Sequence, residues 1–299
     1  MTLQQLKYVV TVAECGNITE AAKQLFVSQP TVTSAIHDLE KEMQIVIFIR
    51  TNKGVILSEE GESFLGHARQ VLEQVDLIEG IYKDDVVSKP HFAVSCQHYS
   101  FAVNAFVDVI RKFDASTYDF TIREEQTHEI IEDVTNLKSE LGVIYLSSKN
   151  TEVLSKMLKR NELEFTELFT ATPHVFICDS HPLAKKKSIT MENLQDYPYL
   201  TYEQGEYNSQ YFSEEFVSTL DSRKNIRVRD RATLFNLIIG LNGYTVCSGV
   251  ISAELNGRNI ISKPLDVEEY MRIGIITRKG VVLSRYAREY IEALKAHCM

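Results

Sequence analysis

The stretch Asn17-Ile-Thr-Glu-Ala-Ala-Lys-Gln-Leu-Phe-Val-Ser-Gln-Pro-Thr-Val-Thr33 decides how the N-terminal part of this 299-residue chain folds. Asn17 followed by Glu20 is typical of the start of one helix, and Ser28 is typical of the start of the next. Pro30 is tolerated in the first turn of that second helix. The segment therefore predicts two helices joined by a short break.

The residues on either side of this stretch extend the pattern. Another helix precedes it and stops near Gly16, and two apolar runs, 48–50 and 55–57, flank a turn at 51–54 and predict a hairpin. The inward positions of the first and third helices are Leu3, Leu6, Val10, Ala13, Val32, Ile36, Leu39 and Met43. Three helices and a two-stranded wing form a winged helix-turn-helix, whose second motif helix lies in the major groove of DNA. Another small helical domain would show the same stripes, so periodicity alone leaves both interpretations open.

Charge does not distinguish these interpretations. Residues 1–54 contain five basic and five acidic residues, so the whole net charge of −9 falls on residues 55–299. Because phosphate binding favours a basic surface, composition by itself argues against a nucleic-acid partner. The prediction of DNA binding rests on architecture.

The cysteines and the apolar runs indicate the compartment. Five cysteines lie far apart without a CxxC pair, which favours free thiols over disulfides or a zinc site. No apolar run reaches the length of a membrane span, and the opening MTLQQLKYVV lacks a secretory pattern. We expect a cytoplasmic protein with no membrane partner.

A heptad seam follows the wing. A helix opens after Ser58 with Glu59 and Glu60 in its first turn, and its apolar positions alternate in spacing between four and three. The seam consists of Phe64, Ala68, Val71, Val75, Ile78 and Tyr82. Such a helix either packs on its own domain or pairs with a second copy. Because it directly follows a wing, we expect dimerisation over an imperfect DNA palindrome, with the domain boundary at the polar break 88–90.

Beyond residue 90, short β-rich runs alternate with helical stripes. This alternation predicts βαβ units around a mainly parallel sheet. We expect two lobes, with the chain crossing near Leu163 and near Pro264. The fold class is therefore α/β with a helix-rich N-terminal winged helix-turn-helix. The predicted parts are a DNA-binding domain (1–57), a linker helix (58–88) and an effector domain (89–299) with lobe I at about 89–163 and 266–299 and lobe II at about 164–265.

Four segments of the C-terminal part are predicted to line a ligand cleft, because ligands bind at the carboxyl ends of strands in such sheets. Three of the segments open helices, whose free N–H groups favour anions, so we expect a small ligand that bears a carboxylate. The predicted residues are Gln97, His98, Tyr99, Ser100, Thr127, His128, Thr201, Tyr202, Arg231 and Thr233. For Ser100, Thr127 and Thr233, simple helix capping is the competing interpretation.

The quoted stretch resembles the signature of LysR-type transcriptional regulators, as do 47–51 and 57–61 at the wing and its exit. In the C-terminal part, 181–184 and 240–244 are similar to motifs of that family. The resemblance implies an effector domain of two Rossmann-like lobes similar to periplasmic binding proteins. It also implies a homodimer that assembles to a homotetramer, with double-stranded DNA, a small effector and RNA polymerase as partners.

The same resemblance implies which residues contact DNA. Gln29, Thr31 and Thr33 would touch base edges or phosphates, and Arg50 and Lys53 would hold the backbone from the wing. The full set is Ser28, Gln29, Pro30, Thr31, Thr33, Ser34, His37, Arg50, Thr51 and Lys53. Many relatives carry Arg where this chain has Ser34, and another basic residue near His37. Weaker nonspecific attraction and a flatter salt dependence are expected here.

Three stretches, 97–99, 103–106 and 231–236, resemble one narrower branch of the family. That branch regulates methionine and cysteine supply in Gram-positive bacteria, which implies O-acetylserine, homocysteine or a similar amino acid as effector.

An enzyme or a solute-binding protein is the alternative. The sequence has no Walker loop, no GxGxxG after a strand, no HExxH and no GxSxG, so we expect no catalytic residues, cofactor or metal. Cys96 and His98 lie two apart, but a buried or pocket-lining thiol is the commoner outcome for such a cysteine. A cytoplasmic solute-binding or enzymatic α/β protein with an oligomerising N-terminal domain stays open, and DNA binding by a 1–88 fragment would exclude it.

Overall fold

The computed structural model describes residues 1–52, 54–82, 90–113, 117–205, 211–215, 224–251 and 259–298. Lys53, positions 88–89 of the predicted break, and the side chains of Tyr82 and Cys298 lie outside the described residues. The chain divides into two compact units. One contains Met1–His91 with the short pieces Thr117–Asp119 and Asn136–Lys138, and the other contains the remaining residues.

The first unit begins with the three predicted helices and the predicted wing. Its elements are α1 (Leu3–Cys15), α2 (Ile18–Gln24), α3 (Gln29–Met43), β1 (Phe48–Thr51), β2 (Gly54–Leu57) and α4 (Glu59–Tyr82). The Asn17 side chain accepts hydrogen bonds from the first-turn N–H groups of α2, and the Ser28 hydroxyl accepts one in α3. Both caps lie where the quoted stretch predicts them, because their oxygens satisfy N–H groups that have no partner within the helix.

The core of this unit follows the predicted stripe of α3 except at its end, and it differs from the predicted stripe of α1. Leu3 is 44% exposed, and Val10 and Ala13 are only partly buried, while Val9 and Val12 are fully buried. The core includes Val9, Val12, Ala21, Ala22, Val32, Ile36, Leu39 and Ile47. Met43 was expected to face inward but is 40% exposed. The reason is that α3 ends at Met43 and Gln44 adopts a left-handed conformation, so this last turn extends past the core.

Two contacts fix the wing against the helices. The Glu40 carboxylate at the end of α3 accepts the backbone N–H groups of Ile47 (2.7 Å) and Phe48 (3.1 Å). Gly54, with φ +140°, begins β2 so close to the α1–α2 turn that an added Cβ would lie 2.3 Å from the Gly16 carbonyl oxygen. The orientation of the wing is therefore set by one side chain and by one close backbone approach.

The seam of α4 divides into two parts. Phe64 packs against the core of its own unit and Ala68 is buried, while Val71 and Ile78 are 40% and 58% exposed. The first turns of α4 therefore lie on their own domain, which was the alternative interpretation of the seam. The later seam positions keep an apolar surface exposed in the single chain.

The second unit contains mixed sheets, not the mainly parallel sheet predicted. Its elements are β3 (His91–Cys96), α5 (Ser100–Phe113), β4 (Asp119–Glu124), α6 (Thr127–Thr135), β5 (Leu141–Leu146), α7 (Thr151–Arg160), β6 (Leu163–Ala171), β7 (His174–Cys178), α8 (Met191–Leu194), β8 (Tyr199–Tyr202), β9 (Asn225–Val228), α9 (Arg231–Leu241), β10 (Thr245–Cys247), β11 (Ile260–Pro264), β12 (Met271–Arg278) and α10 (Arg285–Cys298). Helices α7 and α8 had no predicted counterpart. Among the described residues, no helix is both long and apolar enough to cross a membrane.

The first lobe is built on a five-stranded sheet in the order β4-β3-β5-β12-β6. Strands β3 and β5 are parallel, but β12 returns from the second lobe and runs antiparallel to both β5 and β6. Strand β6 therefore belongs to the first lobe, so the chain crosses after Ala171 and not near Leu163 as predicted. The mixed topology follows from this insertion of a returning strand.

The second lobe is built on the antiparallel sheet β10-β7-β11 and the parallel pair β8-β9. A single bridge between Tyr199 and Tyr244 joins the two. Helix α9 packs on this lobe through Leu234 and Ile238, which are fully buried. The ends of β8 and β10 and the start of α9 thus come together at one edge.

Candidate DNA-binding surface and effector cleft

The start of α3 presents short polar side chains. The Ser28 hydroxyl accepts the Thr31 N–H at 3.3 Å and lies 2.7 Å from the Thr31 hydroxyl. The Gln29 amide donates to the Thr33 hydroxyl at 3.0 Å. These bonds hold the groups at a helix N-terminus, where backbone N–H groups also favour phosphate. The arrangement can bind base edges and phosphates through uncharged donors and acceptors.

Most residues predicted to touch DNA are exposed. The exposed members are Ser28, Gln29, Pro30, Thr31, Ser34, His37, Arg50 and Thr51, and Thr33 is half-buried. Arg50 on β1 is the only permanently charged cation of the predicted set among the described residues, because Lys53 lies outside them. The surface therefore relies on hydrogen bonding more than on charge.

The second unit contains a cleft of about 490 Å³, including its open mouth, where the chain after β3 meets the ends of β8 and β10. Its lining residues are His98, Tyr99, Ser100, Phe176, Tyr202, Glu214, Glu215, Arg231, Phe235, Thr245, Val246, Cys247, Ser248 and Val250.

Five of the ten residues predicted to bind the effector line this cleft. They are His98, Tyr99, Ser100, Tyr202 and Arg231. Gln97 and Thr127 are buried behind the wall and bonded to each other at 2.7 Å. The Gln97 side-chain oxygen Oε1 also accepts the Tyr145 N–H at 3.0 Å, so Gln97 supports the wall from inside. His128, Thr201 and Thr233 are not among the lining residues.

The expected free N–H groups at two helix starts are used by the chain itself. The Asp230 carboxylate caps α9 by accepting the Thr233 N–H at 2.8 Å. The Thr127 N–H at the start of α6 donates to the Gln204 side chain at 3.1 Å. These two N–H groups of α6 and α9 are therefore not available to a ligand carboxylate, because internal acceptors already bind them.

Two adjacent glutamates, which the sequence did not single out, form part of the wall. Glu214 Oε2 accepts the His98 N–H at 3.0 Å and lies 2.8 Å from the His98 ring nitrogen Nδ1. Glu215 accepts the Tyr202 N–H at 2.7 Å and the Ser213 hydroxyl at 2.9 Å. Both are nearly fully buried. They lie in an irregular segment without periodicity, so no sequence pattern indicated them.

Two hydroxyls at β10 were also missed, although a signal existed for one of them. Ser248 directly follows the carboxyl end of β10, the kind of position at which ligand contacts are predicted after β3 and β8. Thr245 begins β10 and has no such signal. Phe176, Phe235 and Val250 add an apolar wall that only the tertiary fold assembles.

His98 connects several parts of the cleft. Its ring stacks on Tyr202 with centroids 3.8 Å apart, and its Nε2 atom lies 3.1 Å from the Arg229 carbonyl oxygen. Burial alone would lower the pKa of His98, but the adjacent Glu214 carboxylate outweighs burial and raises the pKa above its usual value. The pair thus favours a charged imidazolium on this wall.

Arg231 supplies the other cation of the wall. Its guanidinium lies 2.6 Å from the Glu124 carboxylate, and both side chains are mostly buried. Burial raises the pKa of Glu124 and Arg231 opposes that effect. A ligand carboxylate could share Arg231 from the cleft side, because a guanidinium has five donors.

The described cysteines are not paired in disulfides. Cys96 is fully buried, and burial raises the pKa of its thiol well above the usual value, so the reactive thiolate is disfavoured. Cys15, Cys96, Cys178 and Cys247 are all free thiols. Among the described residues, no group of three or more His, Cys, Asp or Glu side chains could hold a metal ion.

Two family models match the chain. The bacterial regulatory helix-turn-helix protein model of the lysR family matches residues 3–62, and the LysR substrate binding domain model matches residues 96–299. The first match lies within the first unit, and the second spans most of the second unit.

Individual relatives agree with these matches. The HTH-type transcriptional regulator YbhD of Escherichia coli K12 is 26% identical over 302 residues, covering 98% of this chain and 90% of YbhD. A full-length OxyR variant from Pseudomonas aeruginosa has a TM-score of 0.65 at 22% identity, covering 99% of this chain and 98% of OxyR. CbnR, a LysR family transcriptional regulator, has a TM-score of 0.53 at 17% identity over the full length of both chains. At these identities the two structures show the fold alone.

Proposed function

Because the chain belongs to the LysR family of bacterial transcriptional regulators, we propose that it regulates amino-acid metabolism in response to a small sulfur amino-acid precursor. The family members are DNA-binding regulators with an effector domain and are not enzymes. The finer proposal is that O-acetylserine, homocysteine or a similar amino acid binds the cleft. It places the chain in the branch that regulates methionine and cysteine supply.

One observation carries this proposal: a single cleft contains Arg231, hydroxyls and two carboxyl groups. Arg231, Ser100 and Ser248 suit the carboxylate of an amino acid, while Phe176 and Phe235 suit a short side chain that bears sulfur or an ester. An amino acid carries an ammonium and a carboxylate at one end. These opposite charges match a wall that contains both cationic and carboxylic side chains.

The proposed layout assigns residues 1–57 to DNA binding, 58–88 to the linker helix and 89–299 to the effector domain. The ten predicted DNA contacts would dock α3 in the major groove of each half of an imperfect palindrome, with the wing on the backbone. Ligand binding would change how two lobes or two copies pack, which requires the ligand to prefer one arrangement. We further propose that RNA polymerase is a partner at the promoter.

The assembly is proposed to be a homodimer that forms a homotetramer. The exposed seam positions Val71 and Ile78 support pairing of α4 with a second copy. We expect V71D/I78D to shift the protein to a smaller species in light scattering coupled to size exclusion. An acidic pair at the exposed positions Tyr270 and Val282 is the control, and an unchanged mass for V71D/I78D would contradict pairing through α4.

The effector is tested by titrating the purified protein against its own upstream intergenic DNA with and without O-acetylserine and homocysteine. Footprinted binding that one ligand shifts would support the proposal and name the effector. Binding without a shift by either ligand would reject the sulfur-metabolite assignment while keeping the regulator. A lack of sequence-specific binding to that DNA and to selected random sites would contradict the DNA contacts proposed for α3.

A further inference from the structure

We propose that Glu215, with Glu214 beside it, forms a subsite for an ammonium group, so that the cleft selects effectors with a free amine. This inference rests on the proposed function, because it assigns a chemical class to the same cleft. It goes further by naming the residues that reject des-amino and N-acylated molecules.

The carboxyl groups of the two glutamates differ in their interaction partners. Glu214 has a cationic partner, the His98 ring, with 2.8 Å between the nearest atoms. Each oxygen of Glu215 accepts one hydrogen bond from a neutral donor, the Tyr202 N–H and the Ser213 hydroxyl. In the described part of the chain, no Lys, Arg or His forms an ion pair with Glu215. Each oxygen keeps lone-pair capacity for a further donor.

A second observation points to a ligand at the same place. Thr245 lines the cleft and is only 4% exposed, yet among the described residues its hydroxyl has no hydrogen-bond partner. Buried hydroxyls are nearly always bonded, so an unpaired one in a cleft wall indicates a missing partner. An ammonium group has three donors, and Thr245 can accept one while the carboxylates accept the others.

The groups around Glu215 determine its protonation state. The titratable groups that face it are Glu214, His98, Tyr99, Tyr145, Tyr199 and Tyr202. The tyrosines are neutral, because burial raises each of their pKa values. Burial, followed by the charge of Glu214, raises the pKa of Glu215 to about 8. Glu215 therefore holds a proton at neutral pH, and an incoming ammonium would favour its ionised form and release that proton.

Matched pairs of small molecules test the ammonium subsite. Isothermal titration compares O-acetyl-L-serine with 3-acetoxypropionate, and homocysteine with 4-mercaptobutyrate, each pair differing only in the α-ammonium group. L-Methionine, L-lysine and butylamine extend the panel. We expect the amines to bind about tenfold or more tightly than their des-amino partners. In buffers of different ionisation enthalpy, about one proton should be released per amine bound at pH 7.

The variant E215Q keeps an acceptor for Tyr202 and a bonding group for Ser213 but cannot ionise. Its matched control is E140Q, because Glu140 also accepts one backbone N–H and one hydroxyl, both from Ser284. We expect E215Q, but not E140Q, to lose the preference for amines and the proton release. Cooperative thermal unfolding of both variants checks that they fold.

Three results would overturn the inference. They are equal affinity for both members of each pair, an unchanged amine preference in E215Q, and no binding of any amine of the panel at millimolar concentration. If butylamine, L-methionine or L-lysine binds through Glu215 while both sulfur precursors fail, the subsite stands and only the proposed effector is wrong. If des-amino acids bind as tightly as the matching amines and shift the DNA complex, the effector cleft stands and the ammonium subsite is rejected.

Discussion

Glu214 and Glu215 are adjacent in the chain, but their carboxyl groups have different neighbours. Glu214 lies against the His98 ring, which supplies a positive charge. Glu215 is buried among tyrosines and a serine hydroxyl, and burial raises its pKa to about 8. The pKa of Glu215 is therefore set by its burial and by the neighbouring charge of Glu214, while Glu214 itself is paired with a ring nitrogen.

The raised pKa of Glu215 has a consequence for stability. In the unfolded chain this carboxyl ionises near 4.5, whereas in the folded chain it ionises near 8. The folded state therefore binds more protons between these values, so stability falls as the pH rises through that window. E215Q removes the titration, and we expect it to be more stable than wild type at pH 8 by on the order of 2 to 4 kcal/mol.

Urea unfolding of both proteins at pH 5 and pH 8 measures this difference. The gain should shrink at pH 5, where the glutamate is protonated in the folded state and partly protonated in the unfolded state. A gain of equal size at both pH values would mean that the carboxyl does not titrate in this window.

At the scale of elements, the wing shows how one backbone approach positions a residue that we propose contacts DNA. Strand β1 carries Arg50, and the hairpin is fixed by the Glu40 carboxylate and by the contact of Gly54 with the α1–α2 turn. Register within the hairpin pairs Arg50 with Val55. A shift of the turn would therefore move Arg50 relative to α3.

We expect Gly54→Ala to lower both stability and DNA affinity. Alanine would be strained at φ +140°, and its Cβ would lie 2.3 Å from a backbone oxygen that cannot move without disturbing α2. The matched control is Gly280→Ala, where φ is +76° but no atom lies within 4 Å of the added Cβ. Backbone strain alone costs about 1 to 2 kcal/mol, so the control should lose that much and Gly54→Ala more.

Thermal unfolding and a DNA-binding titration distinguish the two glycine variants. Only Gly54→Ala should weaken DNA binding, because only it displaces the wing. An equal loss of stability in both variants, with DNA affinity unchanged, would show that the close approach at Gly54 does not position the wing.

At the scale of the whole molecule, charge is unevenly distributed along the chain. Residues 1–54 are neutral and residues 55–299 carry all of the −9 net charge. Long-range attraction to DNA should consequently be weak, and hydrogen bonds from α3 must supply much of the affinity. A regulator of this kind depends more on sequence recognition than on phosphate neutralisation.

The salt dependence of DNA binding tests this expectation. We expect Ser34→Arg to steepen the slope of log K against log salt concentration by about 1 for each recognition helix that docks. Met43→Arg places the same charge at the exposed far end of α3 and should change the slope less. Equal slopes for wild type and Ser34→Arg would indicate that position 34 does not approach the phosphates.

The sequence by itself determined the helix-turn-helix, the wing and the alternation of strands and helices in the second unit. These follow from local rules: Asn17 and Ser28 cap helices through their own side chains, and hydrophobic periodicity marks the buried faces. It also located His98, Tyr202 and Arg231, because each lies at a strand end or a helix start that local patterns reveal.

Only the tertiary structure decided the direction of β12, the assignment of β6 to the first lobe and the acidic wall of the cleft. The direction of a strand in its sheet depends on where the chain returns from the other lobe. The alternation of buried and exposed residues along a strand has a period of two in parallel and antiparallel sheets alike, so it does not reveal that direction. Glu214 and Glu215 lie in an irregular segment, so only folding brings them to His98 and Tyr202, far away in the chain. The free N–H groups expected at α6 and α9 were lost for the same reason: whether an internal acceptor reaches a helix start is decided by packing.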